Sequence, residues 1–186
     1  MKQSQGFTLI EILFVIAIFS VLASIATSAL DTLQLKMEGR SAITLIASSL
    51  SDARNSAITR QTPVALCGSR NASVCDSLWQ EGILVFLDVK GLGNPASAND
   101  ILGFYRIETR KASVAWRGFG AGSILRFDRM GRASASNGNF TYCPGNKDNH
   151  YARQVVINRG GRVRYSQDRN SDGIHEDSSG KALSCP

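Results

Sequence analysis

The sequence predicts an α+β fold, in which a long N-terminal helix packs on a mainly antiparallel β-sheet head. Three observations predict it. Residues Ile12 to Leu30 carry no charge, an apolar period of three and four runs from Ile43 to Ala57, and short β-branched and aromatic runs alternate with turn signals after Pro63. A chain of 186 residues suits one compact domain with an appended segment. Its 19% charged and 43% hydrophobic residues are ordinary for a globular protein and exclude general disorder. The net charge of +6 suits acidic partners, anionic lipid or nucleic acid, and equally a solvated basic surface.

Residues 1–6 form a polar leader with one positive charge, Lys2, and the apolar run starts at Phe7. An ordinary secretory signal would be cut after its apolar stretch, here at Ala26-Thr27-Ser28-Ala29. Glu11 argues against that, because a cleavable signal core carries no charge. Ile12 to Leu30 is 19 residues, which as a helix nearly crosses a hydrocarbon core of roughly 30 Å. Residues 7–30 are therefore expected to span a membrane, with Lys2 holding the N-terminus in the cytoplasm. A carboxylate costs up to about 2.5 to 3.5 kcal/mol at the bilayer centre and less near the interface. Glu11 either snorkels to the headgroups, helped by the positive end of its helix, or pairs with a cation from a neighbouring subunit. A cut after Gly6 would leave such a cation, the Phe7 amine.

Residues 31–62 read as an amphipathic continuation: Ile43, Ile46, Leu50, Ala53 and Ala57 fall on one helical face between polar residues. Gly39 is expected to bend or break this helix, and Pro63 to end it. Residues 63–186 form the β-rich head. Its expected strands are Val64 to Cys67, Ile83 to Asp88, Leu102 to Glu108, Ser123 to Phe127, Phe140 to Cys143 and Gln154 to Asn158. Arg162 to Ser166 closes a hairpin across Arg159-Gly160-Gly161, and Gly91 to Asp100 is a loop.

All four cysteines, Cys67, Cys75, Cys143 and Cys185, follow the apolar segment, so export places them in an oxidising compartment. Their spacing fits no zinc pattern. Three pairings are open to them, with free buried thiols as the alternative. The expected pairing is Cys67 with Cys75, closing a short loop, and Cys143 with Cys185, pinning the C-terminus to the head.

Gly6-Phe7-Thr8-Leu9-Ile10-Glu11 before a spanning-length apolar run resembles the class III signal of type IV pilins and type II secretion pseudopilins. The resemblance implies that a prepilin peptidase cuts between Gly6 and Phe7 and methylates the Phe7 amine. It implies that Glu11 neutralises a neighbouring subunit's terminus during assembly. Pilins often carry a helix-kinking proline where this chain has Ser28, and this departure from the family pattern leads to the expectation of a straighter helix here. Ala53-Arg54-Asn55-Ser56-Ala57-Ile58-Thr59-Arg60, then Val64 to Cys67, Trp79 to Asp88 and Gly161-Arg162-Val163-Arg164, in that order, resemble the GspH/FimT group of minor pilins and pseudopilins. The group implied is a low-abundance component at or near the filament tip that helps prime assembly. Implied partners are other pilins or pseudopilins through the N-terminal helix, the peptidase and inner-membrane lipid. The implied location is a single-pass bacterial inner-membrane protein with a periplasmic head, taken up into a pilus or pseudopilus.

No catalytic apparatus is legible. His150 and His175 have no partnered nucleophile pattern, and G-x-S-x-G, Walker and H-E-x-x-H motifs are absent from the sequence. A membrane-tethered periplasmic enzyme would need such a cluster. Gly118-Phe119-Gly120-Ala121-Gly122 lacks the context of a phosphate loop and reads as a turn. No cofactor is required, and calcium is the one cation the pattern suggests. Asp168, Asn170 and Asp172 before Gly173 match the first half of a D-x-[DN]-x-[DN]-G calcium loop. An EF-hand would place its bidentate glutamate at Ser179, so closure falls to Glu176 or Asp177. A solvated acidic turn is the alternative. Arg153, Arg159, Arg162 and Arg164 form a stretch without acids, with Arg162 and Arg164 on one face of a strand. Two guanidinium groups so placed bind adjacent phosphates. Gly161-Arg162-Val163-Arg164 is similar to the G-R-x-R motif implicated in DNA capture by FimT-like minor pilins of transformable bacteria. The alternative is a basic edge strand that discourages sheet-to-sheet pairing.

Overall fold

The computed structural model describes residues 8–109, 111–119, 122–133 and 136–186, with the side chains of 25–29 outside the description. Gly6, Phe7, Gly120, Ala121 and the side chain of Ser28 therefore lie outside the described residues. The chain divides into two units, Met1–Met37 and Glu38–Pro186.

One helix, α1 (Leu9–Arg60), contributes to both units. In the first unit every described side chain from Leu9 to Ser24 is exposed, including Phe14 and Phe19. Ser20 and Ser24 donate their hydroxyls to the carbonyls of Ala17 and Val21, at 2.8 and 2.7 Å, which removes two polar groups from an otherwise apolar surface. The expected span of 7–30 runs beyond the described side chains. Among the described residues no helix is long and apolar enough to cross a membrane.

In the second unit α1 passes through Gly39 without a break, so of the bend or break expected at this glycine the break does not occur. The reason is packing. A Cβ at Gly39 would lie 3.1 Å from Tyr142 Cε1 and 3.1 Å from the Tyr151 carbonyl, so glycine lets the sheet approach the helix closely. Ala42, Ile43, Ile46, Ala47, Leu50, Ala53 and Ala57 form the buried stripe that the helical period predicts. Gln61 then adopts φ 51°, the Thr62 amide donates to the Ala57 carbonyl at 3.2 Å, and Pro63 follows.

Two antiparallel four-stranded sheets make up the head. The first has the order β3-β2-β1-β5, from β1 (Val64–Gly68), β2 (Gly82–Leu87), β3 (Ile101–Arg106) and β5 (Ile124–Phe127). The second has the order β4-β6-β7-β8, from β4 (Ser113–Gly118), β6 (Gly138–Cys143), β7 (Arg153–Ile157) and β8 (Val163–Tyr165). The core joins the helical stripe to Val64, Leu66, Ile83, Val85, Leu125 and Phe127 of the first sheet. From the second sheet it takes Val114, Phe140, Tyr142, Val155 and Ile157. The alternate residues Ala65, Cys67, Leu84 and Phe86 form a separate cluster on the far face of the first sheet, with Cys75, Ile101, Phe104 and Ile124. β1 and β2 are thus buried on both faces and read as nearly continuous apolar runs.

Strand β4 has no counterpart among the strands expected from sequence. Val114 is buried and Trp116 half-buried, while Ser113, Ala115 and Arg117 face solvent. As an edge strand paired only with β6 it needs a single apolar face, which a six-residue segment signals weakly.

Cys67 bonds Cys75 across a separation of 8 residues, and Cys143 bonds Cys185 across 42. The second bridge ties the C-terminal segment to the end of β6. Each closes a loop whose freedom in the unfolded chain would otherwise oppose folding. Buried Asp88 orders the 91–100 loop. It accepts bonds from the amides of Leu92 and Gly93 and from Arg126 Nε at 2.9 Å, so its charge is paired as burial demands.

Candidate functional site

Three features of this fold bear on function: the start of α1, the acidic loop and the arginine hairpin. Thr8-Leu9-Ile10-Glu11 has the T-x-x-E sequence of a helix start. Thr8 Oγ1 accepts the Glu11 amide at 3.4 Å, and Glu11 lies in the first turn, where the helix dipole favours a carboxylate. Its side chain is exposed, beside the exposed Leu9, Ile10, Ile12 and Leu13. The local sequence thus starts the helix and presents an acid on an apolar surface. Gly6 and Phe7, the expected processing site, precede the described residues.

The acidic loop follows β8. Asp168 accepts the amide of Ser171 through Oδ1 at 2.7 Å and that of Gly173 through Oδ2 at 2.9 Å. Gly173 has φ +88°, a conformation side chains resist, so the turn requires glycine. Asp172 accepts the Ile174 amide at 2.8 Å and the Asn170 side-chain amide at 2.9 Å, which together hold its carboxyl below the usual range. Glu176 arrives by another route. It bridges Gln167 on one side and Ala182 on the other, and its amide donates to the Gln167 carbonyl at 2.9 Å. One carboxylate oxygen from each of Asp168, Asp172 and Glu176 lies within 4.8 Å of the others. Glu176 is only 6% exposed; its Oε2 accepts the Arg169 amide at 2.9 Å, and its Oε1 is buried without a partner. Three convergent carboxylates, one with a spare buried oxygen, form a donor set for a hard cation.

Asp177, the alternative closing ligand, is not part of this cluster. Neighbours along an extended chain project to opposite sides. The Asp177 carboxylate turns into its own loop, where Oδ1 accepts the Ser179 hydroxyl at 2.6 Å and the amides of Ser179 and Lys181. Those bonds, the hydroxyl first, hold its pKa down.

The arginine hairpin separates the four candidate cations. Arg164 pairs with Val156, while the core-facing Val155 and Ile157 pair with Tyr165 and Val163. By alternation Arg164 lies on the face away from α1, and Arg162, two residues earlier, lies on the same side. Both are exposed. Arg159 sits at the turn with its guanidinium 5.7 Å from the Phe119 ring centroid. Arg153 departs from the expected set. It shares the helix-facing side of β7 with Val155, and its Nη1 donates to the carbonyls of His150 and Ala152 at 2.8 and 2.7 Å. Burial, and then Arg40 nearby, push its pKa down, against a smaller opposing effect from Asp168.

The hairpin turn is built around Gly161, at φ +75°. A Cβ there would stand 2.1 Å from the Gly131 carbonyl oxygen. Arg54, from α1, donates to that same carbonyl through Nε at 3.0 Å and reaches the Gly160 carbonyl through Nη2 at 3.4 Å. Two glycine turns and one helical arginine therefore fix where the following Arg162 and Arg164 emerge. Arg54 and Gly161 lie 107 positions apart in the sequence, so no local pattern shows that they meet, although each falls in a segment that carries the family resemblance.

Comparison with known proteins agrees with this architecture. Residues 1–27 match the prokaryotic N-terminal methylation motif, and residues 42–161 match the type II transport protein GspH. No curated protein matches the chain. Among solved structures, the type IV minor pilin FimU of Pseudomonas aeruginosa, strain PAO1, is similar in two crystal forms. The form in space group P21 has 19% identity and a TM-score of 0.55, covering 84% of this chain and 98% of that one. The form in P65 has 20% identity and a TM-score of 0.51, covering 78% and 97%. At that identity the likeness establishes the fold. The GspH profile spans more than half of the chain, on the docked helix and both sheets, and the protein belongs to the GspH family.

Proposed function

We propose that the chain works by assembly and not by catalysis, as a minor pilin or pseudopilin of a type IV pilus or type II secretion system. The observation that carries this reading is the combination of a methylation motif over residues 1–27 with an exposed apolar helix that runs on into the head. An exposed apolar helical surface calls for lipid or other helices. A single-pass inner-membrane location with a periplasmic head supplies lipid before assembly, and neighbouring pilin helices replace it afterwards. A prepilin peptidase cuts between Gly6 and Phe7 and methylates the new terminus, and Glu11 neutralises the terminal amine of an adjacent subunit. The test is recovery of the protein in sheared filaments. Wild type is expected there, and Glu11→Ala is expected to remain in the membrane. Equal recovery of both would remove Glu11 from assembly.

The acidic loop adds a proposed calcium site, with Asp168, Asp172 and Glu176 as carboxylate ligands and Asn170 contributing to the loop. Its support is the buried, unpartnered Glu176 oxygen, which a divalent cation would satisfy.

A second reading is DNA binding in natural transformation. Its support is the shared exposed face of Arg162 and Arg164 on the edge strand β8, next to Arg159 at the turn. Duplex DNA should be retarded by the protein at low salt, less so as salt rises, and not by the Arg162→Gln, Arg164→Gln double variant. Retardation unchanged in the double variant would reject this reading.

A further inference from the structure

Arg40 of α1 and Arg153 of β7 open onto one cavity of about 230 Å³, whose wall includes Thr44, Tyr165, Ser166 and His175. It lies on the helix-facing side of the second sheet, away from Arg162 and Arg164. Two guanidinium groups remain charged at any ordinary pH, and they repel where solvent is partly excluded. Arg153 feels both effects, burial first and Arg40 second. Among the described residues neither arginine has an ion pair. Asp168, the acid that acts on Arg153, has both oxygens engaged by the Ser171 and Gly173 amides. Arg153 spends only Nη1 on carbonyls, which leaves other N–H donors of its fork available.

We propose that this cavity is an oxyanion site, in which Arg40 and Arg153 together hold a carboxylate or phosphate group. The guanidinium fork matches both groups, and an anion between two like charges removes their repulsion. Thr44 and Ser166 place hydroxyl groups on the same wall. The site goes beyond the assembly reading and does not depend on it, since it belongs wholly to the second unit.

His175 completes the cavity wall. Its Nδ1 lies 2.9 Å from the Ser166 carbonyl and 3.0 Å from the Ser166 hydroxyl, which holds the ring in place beside Ser166.

Binding is measured by isothermal titration calorimetry of the full-length protein in detergent micelles, against sodium phosphate and, separately, sodium acetate at constant ionic strength. The expected result is saturable binding of at least one ion, its affinity weakened about tenfold or more in Arg40→Gln, the worth of one charge-assisted bond. Arg40 is exposed, so the variant should fold, and circular dichroism verifies that. A response to phosphate alone assigns a phosphate group, and a response to acetate alone a carboxylate. No saturable binding of either ion, or the same affinity in Arg40→Gln, overturns the proposal.

Discussion

Tyr105 on β3 donates its phenolic hydrogen to Asp52 Oδ2 on α1 at 2.6 Å, tying the edge strand of the first sheet to the docked helix. Tyr142 on β6 does the same from the second sheet, donating to Glu38 Oε1 at 3.1 Å. Each sheet therefore sends one hydroxyl to one helical carboxylate, and these bonds add direction to an apolar contact that is otherwise non-directional.

Replacing Tyr105 with Phe should keep the ring packing and cost about 1 kcal/mol in urea unfolding. Burial, with Asp52 bonding and repelling the phenolate, pushes the Tyr105 pKa from 10.0 up to about 12. The folded state thus holds this proton more tightly than the unfolded state. Its contribution is full below pH 10.0 and is lost as pH rises through about 12. Wild type should lose stability across that window more steeply than Tyr105→Phe, and parallel alkaline unfolding curves would show that the bond contributes nothing.

Gly161→Ala and Gly180→Ala make a matched pair. Both glycines have positive φ, +75° and +86°, but only Gly161 is crowded, since nothing lies within 4 Å of a Cβ at Gly180. Gly180→Ala should cost about 1 to 2 kcal/mol for the backbone alone. Gly161→Ala adds a clash with the Gly131 carbonyl and should cost about 2 to 5 kcal/mol in the same unfolding assay. Equal costs would mean that the hairpin turn relaxes freely.

The proposed cation site predicts a saturable heat in calorimetric calcium titration of the purified protein. Thermal unfolding should shift upward in calcium, because a ligand that binds only the folded state stabilises it. Glu176→Gln should abolish both effects and Asp177→Asn should leave both in place, since Asp177 is turned into its own loop. Absence of heat at millimolar calcium would leave the loop as a solvated turn.

The helix and most strands were legible because each carries its own period. The stripe from Ile43 to Ala57 repeats every three or four residues, and the core strands are runs bounded by turn signals. Gly39 misled because local propensity says that glycine breaks helices, whereas close approach of Tyr142 and Tyr151 demands its lack of a side chain. Strand β4 was hidden by its single apolar face. The candidate sites divide in the same way. Asp168, Asp172 and Gly173 are local in sequence and announce a turn. The choice between Glu176 and Asp177 depends on bridges from Gln167 and Ala182, and the facing of Arg153 depends on which side of β7 meets α1. The meeting of Arg54 with Gly131 and Gly160 links residues far apart in sequence, beyond the reach of any local pattern.

The central claim is that residues 7 onward form a processed filament spine. It is tested most directly by the intact mass and N-terminal sequence of the protein recovered from its native membrane. The account predicts a chain that lacks residues 1–6 and begins at a methylated Phe7. An uncut Met1, or a terminus after Ala29, would contradict it.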